Sequence, residues 1–202
     1  MGKSYYLVGV DEVGRGPIAG PVAVGVVIVK DQSFLKEIKD FLPIGKDSKK
    51  LSSKQREECF CEIIKWKDKG KIKYEVSFIS SQIIDQAGIS KSIQMAINRS
   101  FEKLNIPPTK SMILLDGGLC VGREYVNQKT IIRGDETEPI IACASIVAKV
   151  FRDRKMVNYG KKFPKYNFEI HKGYGTKKHF NMIKKHGFCP LHRRTFLKKL
   201  SS

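Results

Sequence analysis

Two carboxylates stand side by side directly after an apolar run near the start of the sequence. Residues 5–10 are aromatic, aliphatic or glycine and carry no charge, which predicts a buried strand. Asp11 and Glu12 follow, and a Gly-Arg-Gly turn at residues 14–16 comes next. Because neighbouring side chains of a strand point to opposite faces, both acids can serve one site only if the chain bends. Glycine permits that bend and lets the backbone approach a ligand closely.

A third acid stands in the same context later in the chain. The apolar run 111–115 ends on Asp116, and two glycines follow at once. In α/β proteins reactive groups gather where strands end, because the loops there face solvent and ligand. Asp-Gly is also a common turn signal, so capping a turn explains Asp116 equally well when that residue is considered alone.

A fourth acid lies within a long helical pattern. Ser145, Lys149 and Asp153 are spaced four residues apart, so they form one polar stripe on an otherwise apolar helix. The alternative is a surface Lys–Asp pair, worth about 0.3 kcal/mol. These residues alone do not decide between the two interpretations.

The charge balance of the 202-residue chain is strongly basic, with 38 lysines and arginines against 20 acids and a net charge of +18. A field of that sign favours polyanions, either nucleic acid or an anionic membrane surface. Carboxylates gathered in one cleft would repel phosphates unless divalent cations neutralise them. Oxygen ligands suit Mg²⁺ or Mn²⁺, and two such ions about 4 Å apart can catalyse an in-line displacement at phosphorus. The combination predicts metal-dependent hydrolysis of phosphodiesters.

Cysteine and histidine give weaker signals. The five cysteines form no Cys-x-x-Cys pair, which suits small buried hydrophobes in a reducing cytoplasm. His179, His186, Cys189 and His192 invite a zinc hypothesis, but the paired ligand spacings of a structural zinc module are missing. Histidines near a bound polyanion are the simpler interpretation. No run approaches the ~20 apolar residues of a membrane span, so we expect no membrane association.

Periodicity and turn signals divide the chain into strands and helices. Strands are predicted at 5–10, 22–29, 72–78, 111–115 and 129–133, and helices at about 53–66, 90–104, 138–159 and 176–186. Ser52 and Ser90 are the expected N-caps of the first two helices. Strands in a group that then alternate with helices predict an α/β fold with a mixed sheet. We expect residues 166–202 to form a basic helical segment docked on a domain of residues 1–165, in a monomer.

Five blocks of sequence, in order, resemble the type 2 ribonucleases H and together cover nearly the whole chain. They are DEVGRGPIAGPV at 11–22, KDSKKLS at 46–52, LDG at 115–117, ACASIVAKVFRD at 142–153 and HKGYGT at 171–176. The related type 3 enzymes usually carry Gly-Lys-Gly, a glutamate as the fourth acid and an extra N-terminal domain. Arg15, Asp153 and the immediate start of the first strand favour type 2.

The resemblance implies a ribonuclease H-like fold, with a mixed five-stranded sheet flanked by helices and a C-terminal helical segment. It also implies endonucleolytic cleavage of the RNA strand of RNA–DNA hybrids, and incision 5′ of single ribonucleotides embedded in duplex DNA. The products would carry 3′-hydroxyl and 5′-phosphate ends. By matching motif positions, the catalytic acids and ligands of two Mg²⁺ or Mn²⁺ ions would be Asp11, Glu12, Asp116 and Asp153, with Asp11 bridging the ions.

Substrate contacts are implied by the same resemblance. The backbone of Gly14, Arg15 and Gly16 would contact the 2′-hydroxyl, the group that separates RNA from DNA. Tyr174 would stack on the adjacent deoxyribose, although a surface aromatic in a Gly-Tyr-Gly turn is the alternative. Phosphate contacts or support of the site would come from Lys46, Lys49, Lys50, Ser145 and Lys149, the first three of which could instead form a solvated basic loop.

Two other functions fit parts of the sequence. A basic nucleic-acid-binding protein without catalysis would use its acids only to cap turns. A metal-dependent phosphatase acting on small molecules would need the acids but not the net charge of +18.

Overall fold

The computed structural model describes residues 6–43 and 51–197. The five strands are β1 Tyr6–Val13, β2 Val22–Val29, β3 Ile72–Ile79, β4 Ser111–Asp116 and β5 Gln128–Ile131. They form one sheet in the order β3-β2-β1-β4-β5. β2 is antiparallel to both of its neighbours, whereas β1, β4 and β5 run parallel to one another. The predicted α/β fold with a mixed sheet is confirmed.

Strand β1 extends three residues beyond its predicted end at Val10. Its ladder with β2 continues to the pair Val13↔Ala23 because β2 is apolar and buried along its whole length. The ladder with β4 stops at Val10↔Leu115. The backbone of Asp11 and Glu12 is therefore still paired with β2, but it is no longer paired with β4.

The helices are longer than eight residues where periodicity predicted them and short elsewhere. They are α1 Leu35–Phe41, α2 Ser53–Asp68, α3 Ser81–Ala87, α4 Ile89–Leu104, α5 Gly134–Thr137, α6 Pro139–Lys162, α7 Phe168–His171 and α8 Lys177–His186. The four predicted helices correspond to α2, α4, α6 and α8. The other four contain seven residues or fewer, too short for a 3.6-residue period to emerge from the sequence.

Capping residues explain where the longer helices begin. Ser52 and Gln55 form a reciprocal capping box at the start of α2, as the serine signal predicted. The prediction of Ser90 as the cap of α4 is wrong, because Gly88 occupies that position. Gly88 ends α3 and begins α4 in one residue, with a positive φ of 80° that glycine tolerates.

Helix α6 lies unusually close to the middle of the sheet. Gly9 of β1 and Gly25 of β2 face it, and a Cβ atom on either would overlap the carbonyl oxygen of Ile140 or Ala144. With α1 and α2, helix α6 covers one face of the sheet, while α3 and α4 cover the other. The close contact brings the side chains of α6 level with the ends of the parallel strands.

The chain after α6 returns to the turn that follows β1. Tyr166, Phe168 and Leu191 form an apolar cluster with Ala19 and with Met156 of α6. The N–H of Gly20 donates to the carbonyl of Leu191 at 2.8 Å. The division into residues 1–165 and 166–202 stays a prediction. None of the helices in the described ranges combines the length and apolar character that crossing a membrane requires.

Candidate active site

Three carboxylates meet where the parallel strands end. Because Val10 pairs with Leu115 in parallel register, the next residues, Asp11 and Asp116, lie beside each other at the edge of the sheet. Oxygen atoms of Asp11, Glu12 and Asp116 all lie within 4.8 Å of one another. The structure thus brings together three of the four acids predicted from sequence.

These acids line an open cavity of about 390 Å³. Its walls come from the turn after β1, from α2, from α6 and from the segment after α7. Among its lining residues are the predicted site residues Asp11, Glu12, Gly14, Arg15, Gly16, Asp116, Ser145, Lys149 and Tyr174. Lys46, Lys49 and Lys50 lie outside the described residues.

Asp135 also lines this cavity, and the sequence analysis missed it. It is buried at the start of α5, just after β5, and its N–H donates to Asp116 Oδ1 at 3.3 Å. The sequence carried a signal, since Gly134-Asp135 follows a strand much as Asp116-Gly117 does. The surrounding charged residues made the segment resemble an ordinary surface loop.

Asp153 does not join the other acids. It lines a neighbouring cavity, where its carboxylate pairs with Lys149 at 2.8 Å and with Arg56 at 3.8 Å. Asp153 lies two turns beyond Ser145 on α6, or roughly 12 Å along the helix axis. The polar stripe predicted from the four-residue spacing is present, but only its Ser145 and Lys149 members line the acidic cavity.

The acidic cluster is electrostatically strained. Burial raises the pKa of Asp11 well above its usual value, and the charges of Asp116, Glu12 and Asp135 raise it further. A hydrogen bond with Ser145 opposes this effect only in part. Burial likewise raises the pKa of Glu12, against the influence of the Arg15 guanidinium, which donates to Glu12 Oε1 at 3.2 Å. A bound cation would favour the ionised carboxylates.

The donor set fits a hard divalent cation. It consists of carboxylate oxygens, the ligands that Mg²⁺ and Mn²⁺ prefer, and the open cavity leaves room for water or substrate oxygens. Among the acids, histidines and cysteines of residues 6–43 and 51–197, Asp11, Glu12 and Asp116 form the group whose possible ligand atoms lie close enough together to hold one metal ion.

The histidines form a different kind of cluster, away from the acids. Cys189 N–H donates to His192 Nδ1 at 2.9 Å, so the proton of neutral His192 lies on Nε2. That nitrogen lies 3.2 Å from His179 Nε2, whose own Nδ1 then donates to the Tyr174 carbonyl at 2.9 Å. His171 stacks on His179 with ring centroids 4.1 Å apart. Three of the four histidines are therefore buried structural groups rather than surface groups near a polyanion, because these contacts satisfy them inside the fold.

Fold and site together define a metal-dependent nuclease of the ribonuclease H-like class. A family model described as ribonuclease HII matches residues 8–199. The chain belongs to the ribonuclease HII family.

Individual relatives agree with this assignment. The ribonuclease HII of Endomicrobium trichonymphae is 46% identical over 195 residues, which cover 96% of this chain and 87% of the relative. The crystal structure of the ribonuclease H2 from Pyrococcus horikoshii OT3 superposes with a TM-score of 0.73 at 25% identity, covering 96% of both chains. A crystal structure of Bst-RNase HIII in complex with Mn²⁺ shares the fold, with a TM-score of 0.68 at 14% identity, covering 96% of this chain and 65% of the other.

Proposed function

We propose that this protein hydrolyses the RNA strand of RNA–DNA hybrids endonucleolytically and also incises 5′ of single ribonucleotides in duplex DNA. The products carry 3′-hydroxyl and 5′-phosphate ends. The observation that carries the proposal is the carboxylate cluster of Asp11, Glu12 and Asp116 next to the Gly-Arg-Gly turn, in a chain with a net charge of +18. Basic surface attracts the duplex, and the acids mark where the reaction occurs.

Asp11, Glu12, Asp116 and Asp135 would hold two divalent ions, either Mg²⁺ or Mn²⁺. When bound, such ions supply an activated water and stabilise the leaving oxygen of an in-line displacement. Asp135 takes the place that the sequence analysis gave to Asp153, because Asp135 lines the cavity and Asp153 is paired elsewhere. The Mn²⁺ complex of Bst-RNase HIII supports the metal class.

The remaining cavity residues position these acids and the substrate. Ser145 donates a hydrogen bond to Asp11, which orients that carboxylate from α6. Lys149 also lines the cavity, and its Nζ is held in an ion pair with Asp153 at 2.8 Å. Burial lowers the pKa of Lys149, and the Asp153 carboxylate opposes that effect. Lys46, Lys49 and Lys50 are proposed to contact phosphates.

Two features beside the acids, a backbone turn and an aromatic ring, would make the protein prefer a ribonucleotide over a deoxyribonucleotide. The backbone of Gly14, Arg15 and Gly16 would contact the 2′-hydroxyl, since glycine allows close approach. Tyr174 has 43% of its surface exposed and lines the same cavity, where its ring would stack on the next deoxyribose. A 2′-hydroxyl on that neighbour would clash with the ring.

A duplex carrying one ribonucleotide tests the proposal directly. Incubation with Mg²⁺ or Mn²⁺ should cut on the 5′ side of that ribonucleotide, and a long RNA–DNA hybrid should be cut in its RNA strand. An all-DNA duplex of the same sequence should stay intact. Retention of the duplex without cutting would instead favour a binding protein, and hydrolysis of p-nitrophenyl phosphate alone would favour a small-molecule phosphatase.

We further propose that the protein acts as a monomer in the cytoplasm. Five free cysteines, three of them buried, support a reducing compartment. Light scattering of the purified protein tests the monomer, since a mass near twice 22.9 kDa would contradict it.

A further inference from the structure

We propose that Arg193 is a positioning residue for ribonucleotide recognition, holding the Gly14–Gly16 turn so that its N–H groups face the cavity. This inference rests on the proposed function, in which that turn contacts the 2′-hydroxyl. It assigns a role in the substrate site to a side chain that does not line the cavity.

The side chain of Arg193 spans the turn from behind. Its Nη2 donates to the Gly14 carbonyl at 2.7 Å, its Nη1 to the Arg15 carbonyl at 3.0 Å and its Nε to the Gly20 carbonyl at 3.0 Å. The residue is fully buried, and its own N–H donates to the Ile18 carbonyl at 2.8 Å. A planar guanidinium with several fixed donors can hold three carbonyls at once, which a lysine ammonium cannot do in the same geometry.

The direction of the carbonyls fixes the direction of the N–H groups. In a planar trans peptide unit the C=O and the following N–H point to opposite sides. With the carbonyls of Gly14 and Arg15 directed at Arg193, the N–H groups of Arg15 and Gly16 are directed away from it. All three residues of the turn line the cavity, but Gly14 is buried whereas Arg15 and Gly16 are exposed. Within the described residues, neither of these two N–H groups has a hydrogen-bond acceptor.

A second buried arginine packs against the turn, next to Gly14. Arg152 of α6 donates from Nε to the Pro21 carbonyl at 2.9 Å, and it packs where a side chain on Gly14 would have to be. Its Nη1 and Nη2 have no hydrogen-bond partner in the described ranges. Burial, together with the charge of Arg152, lowers the pKa of Arg193 to about 9, which leaves Arg193 a cation at neutral pH. Burial also lowers the pKa of Arg152, but a guanidinium keeps its proton in proteins at neutral pH. Two buried cations behind the turn favour an electron-rich ligand in front of it.

The test compares how strongly variants discriminate between two duplexes that differ by one hydroxyl. In an Asp11→Asn background, which prevents cleavage, affinity is measured for an all-DNA duplex and for the same duplex with one ribonucleotide. Arg193→Gln should lower the ratio of the two affinities on the order of tenfold, because the turn no longer presents its donors. Arg193→Lys should give an intermediate ratio, since it keeps the charge but not the fork.

Arg194→Gln is the matched control. The Arg194 side chain is exposed, lies over the Phe188 ring and does not contact the turn. The control removes the same charge, so it should weaken binding of both duplexes alike and leave the ratio unchanged. An unchanged ratio in folded Arg193→Gln and Arg193→Lys proteins would overturn the proposal.

A second readout separates this inference from the proposed function. In ¹H–¹⁵N spectra, the amide signals of Arg15 and Gly16 should shift in Arg193→Lys and stay in place in Arg194→Gln. If the unmodified protein cuts no ribonucleotide-containing duplex, the proposed function fails, and the recognition role assigned to Arg193 fails with it. If the protein cuts but the amide signals do not respond to Arg193, only the positioning role is overturned.

Discussion

Two polar clusters in this protein, one buried and one lining an open cavity, differ in how the cost of burying their polar groups is offset. In the histidine cluster of His171, His179 and His192, each ring nitrogen has a neighbour placed to donate or accept. In the acidic cluster, burial raises the pKa of Asp11 and of Glu12, the Asp116 carboxylate raises both further, and Ser145 and Arg15 compensate only partly. The histidines are satisfied within the chain, whereas the acids require something from outside it.

This contrast separates a structural cluster from a functional one. Burial lowers the pKa of His179 and of His192 to about 4, which keeps both rings neutral and suited to their hydrogen bonds. Burial raises the pKa of Asp11, which opposes the ionised form that a metal ligand needs. A carboxylate whose surroundings disfavour its charge is a candidate functional group, because a bound cation would offset the cost of that charge.

The largest expected effect comes from Asp11→Asn. Cleavage should fall at least on the order of 10³-fold, beyond the 10- to 100-fold typical of losing an outer-shell partner. At neutral pH the free energy of unfolding should rise rather than fall, because burial and the neighbouring acids disfavour the ionised Asp11 carboxylate, which asparagine replaces with a neutral group. Single-turnover kinetics and urea unfolding measure the two quantities. If the variant stays active, Asp11 does not have the assigned catalytic role. If the variant is less stable, the Asp11 carboxylate does not destabilise the fold.

The histidine cluster should dominate the loss of stability in weak acid. A pKa lowered from 6.5 to about 4 means that the unfolded chain binds protons first as pH falls. The contribution of His179 and of His192 to stability is then full above pH 6.5 and is lost between about 6.5 and 4, by roughly 3 kcal/mol for each of these two residues. Asp11 works in the opposite sense, since an acid with a raised pKa favours folding as pH falls.

Urea unfolding at pH 7.0 and pH 4.5 checks this prediction. His179→Gln, which cannot gain a charge, should lose less stability between the two pH values than the unmodified protein. Asp11→Asn should lose more, because the opposing contribution of the acid is removed. Equal pH dependence in the unmodified protein and His179→Gln would show that the histidines are not responsible.

A smaller effect separates the two candidate fourth acids. Asp135→Asn should reduce cleavage at least on the order of 100-fold, the upper end of the loss typical of an outer-shell partner, because the residue lies in the acidic cavity against Asp116 and would hold the ions. Asp153→Asn should change cleavage only a few-fold, since it breaks the ion pairs with Lys149 and Arg56 outside that cavity. Rates at saturating Mg²⁺ measure both, and the reverse order would restore the assignment made from sequence.

The smallest expected effect is a change in substrate preference. Tyr174→Ala should slow incision at a single ribonucleotide several-fold more than cleavage of a long hybrid, because stacking on a deoxyribose matters only for the former. Parallel assays on the two substrates give the comparison. Tyr174→Phe is the control, since it keeps the ring, and equal losses on both substrates would argue against the stacking role.

The sequence predicted those site residues that come directly after an apolar strand in the chain. Asp11 and Asp116 each follow an apolar run and precede a glycine turn, a pattern that needs no tertiary information. Asp135 was missed although a strand was predicted just before it, because three residues separate it from the end of β5 and the segment carries many charges. Asp153 was assigned by matching the motif at 142–153, because helical spacing placed it on one face of α6 with Ser145 and Lys149 but did not decide its role.

Contacts between distant segments could not be predicted in this way. Nothing near Arg193 in the sequence indicates that it holds carbonyls 173 to 179 residues earlier. His179 and His192 suggested metal or polyanion binding, because the sequence does not reveal that the Tyr174 and Cys189 backbone groups satisfy them. Local patterns predict elements, whereas partners across the fold depend on packing that only the complete structure specifies.

The long separation between Arg193 and Gly14 has a consequence for biosynthesis. A ribosome completes the first strand and its turn long before it adds the arginine that fixes the carbonyls of that turn. All five strands precede Arg193 in the chain, so until then the nascent chain lacks the buried cation behind Gly14 and Arg15. Selectivity for its substrate would therefore be among the last properties that a newly made molecule acquires.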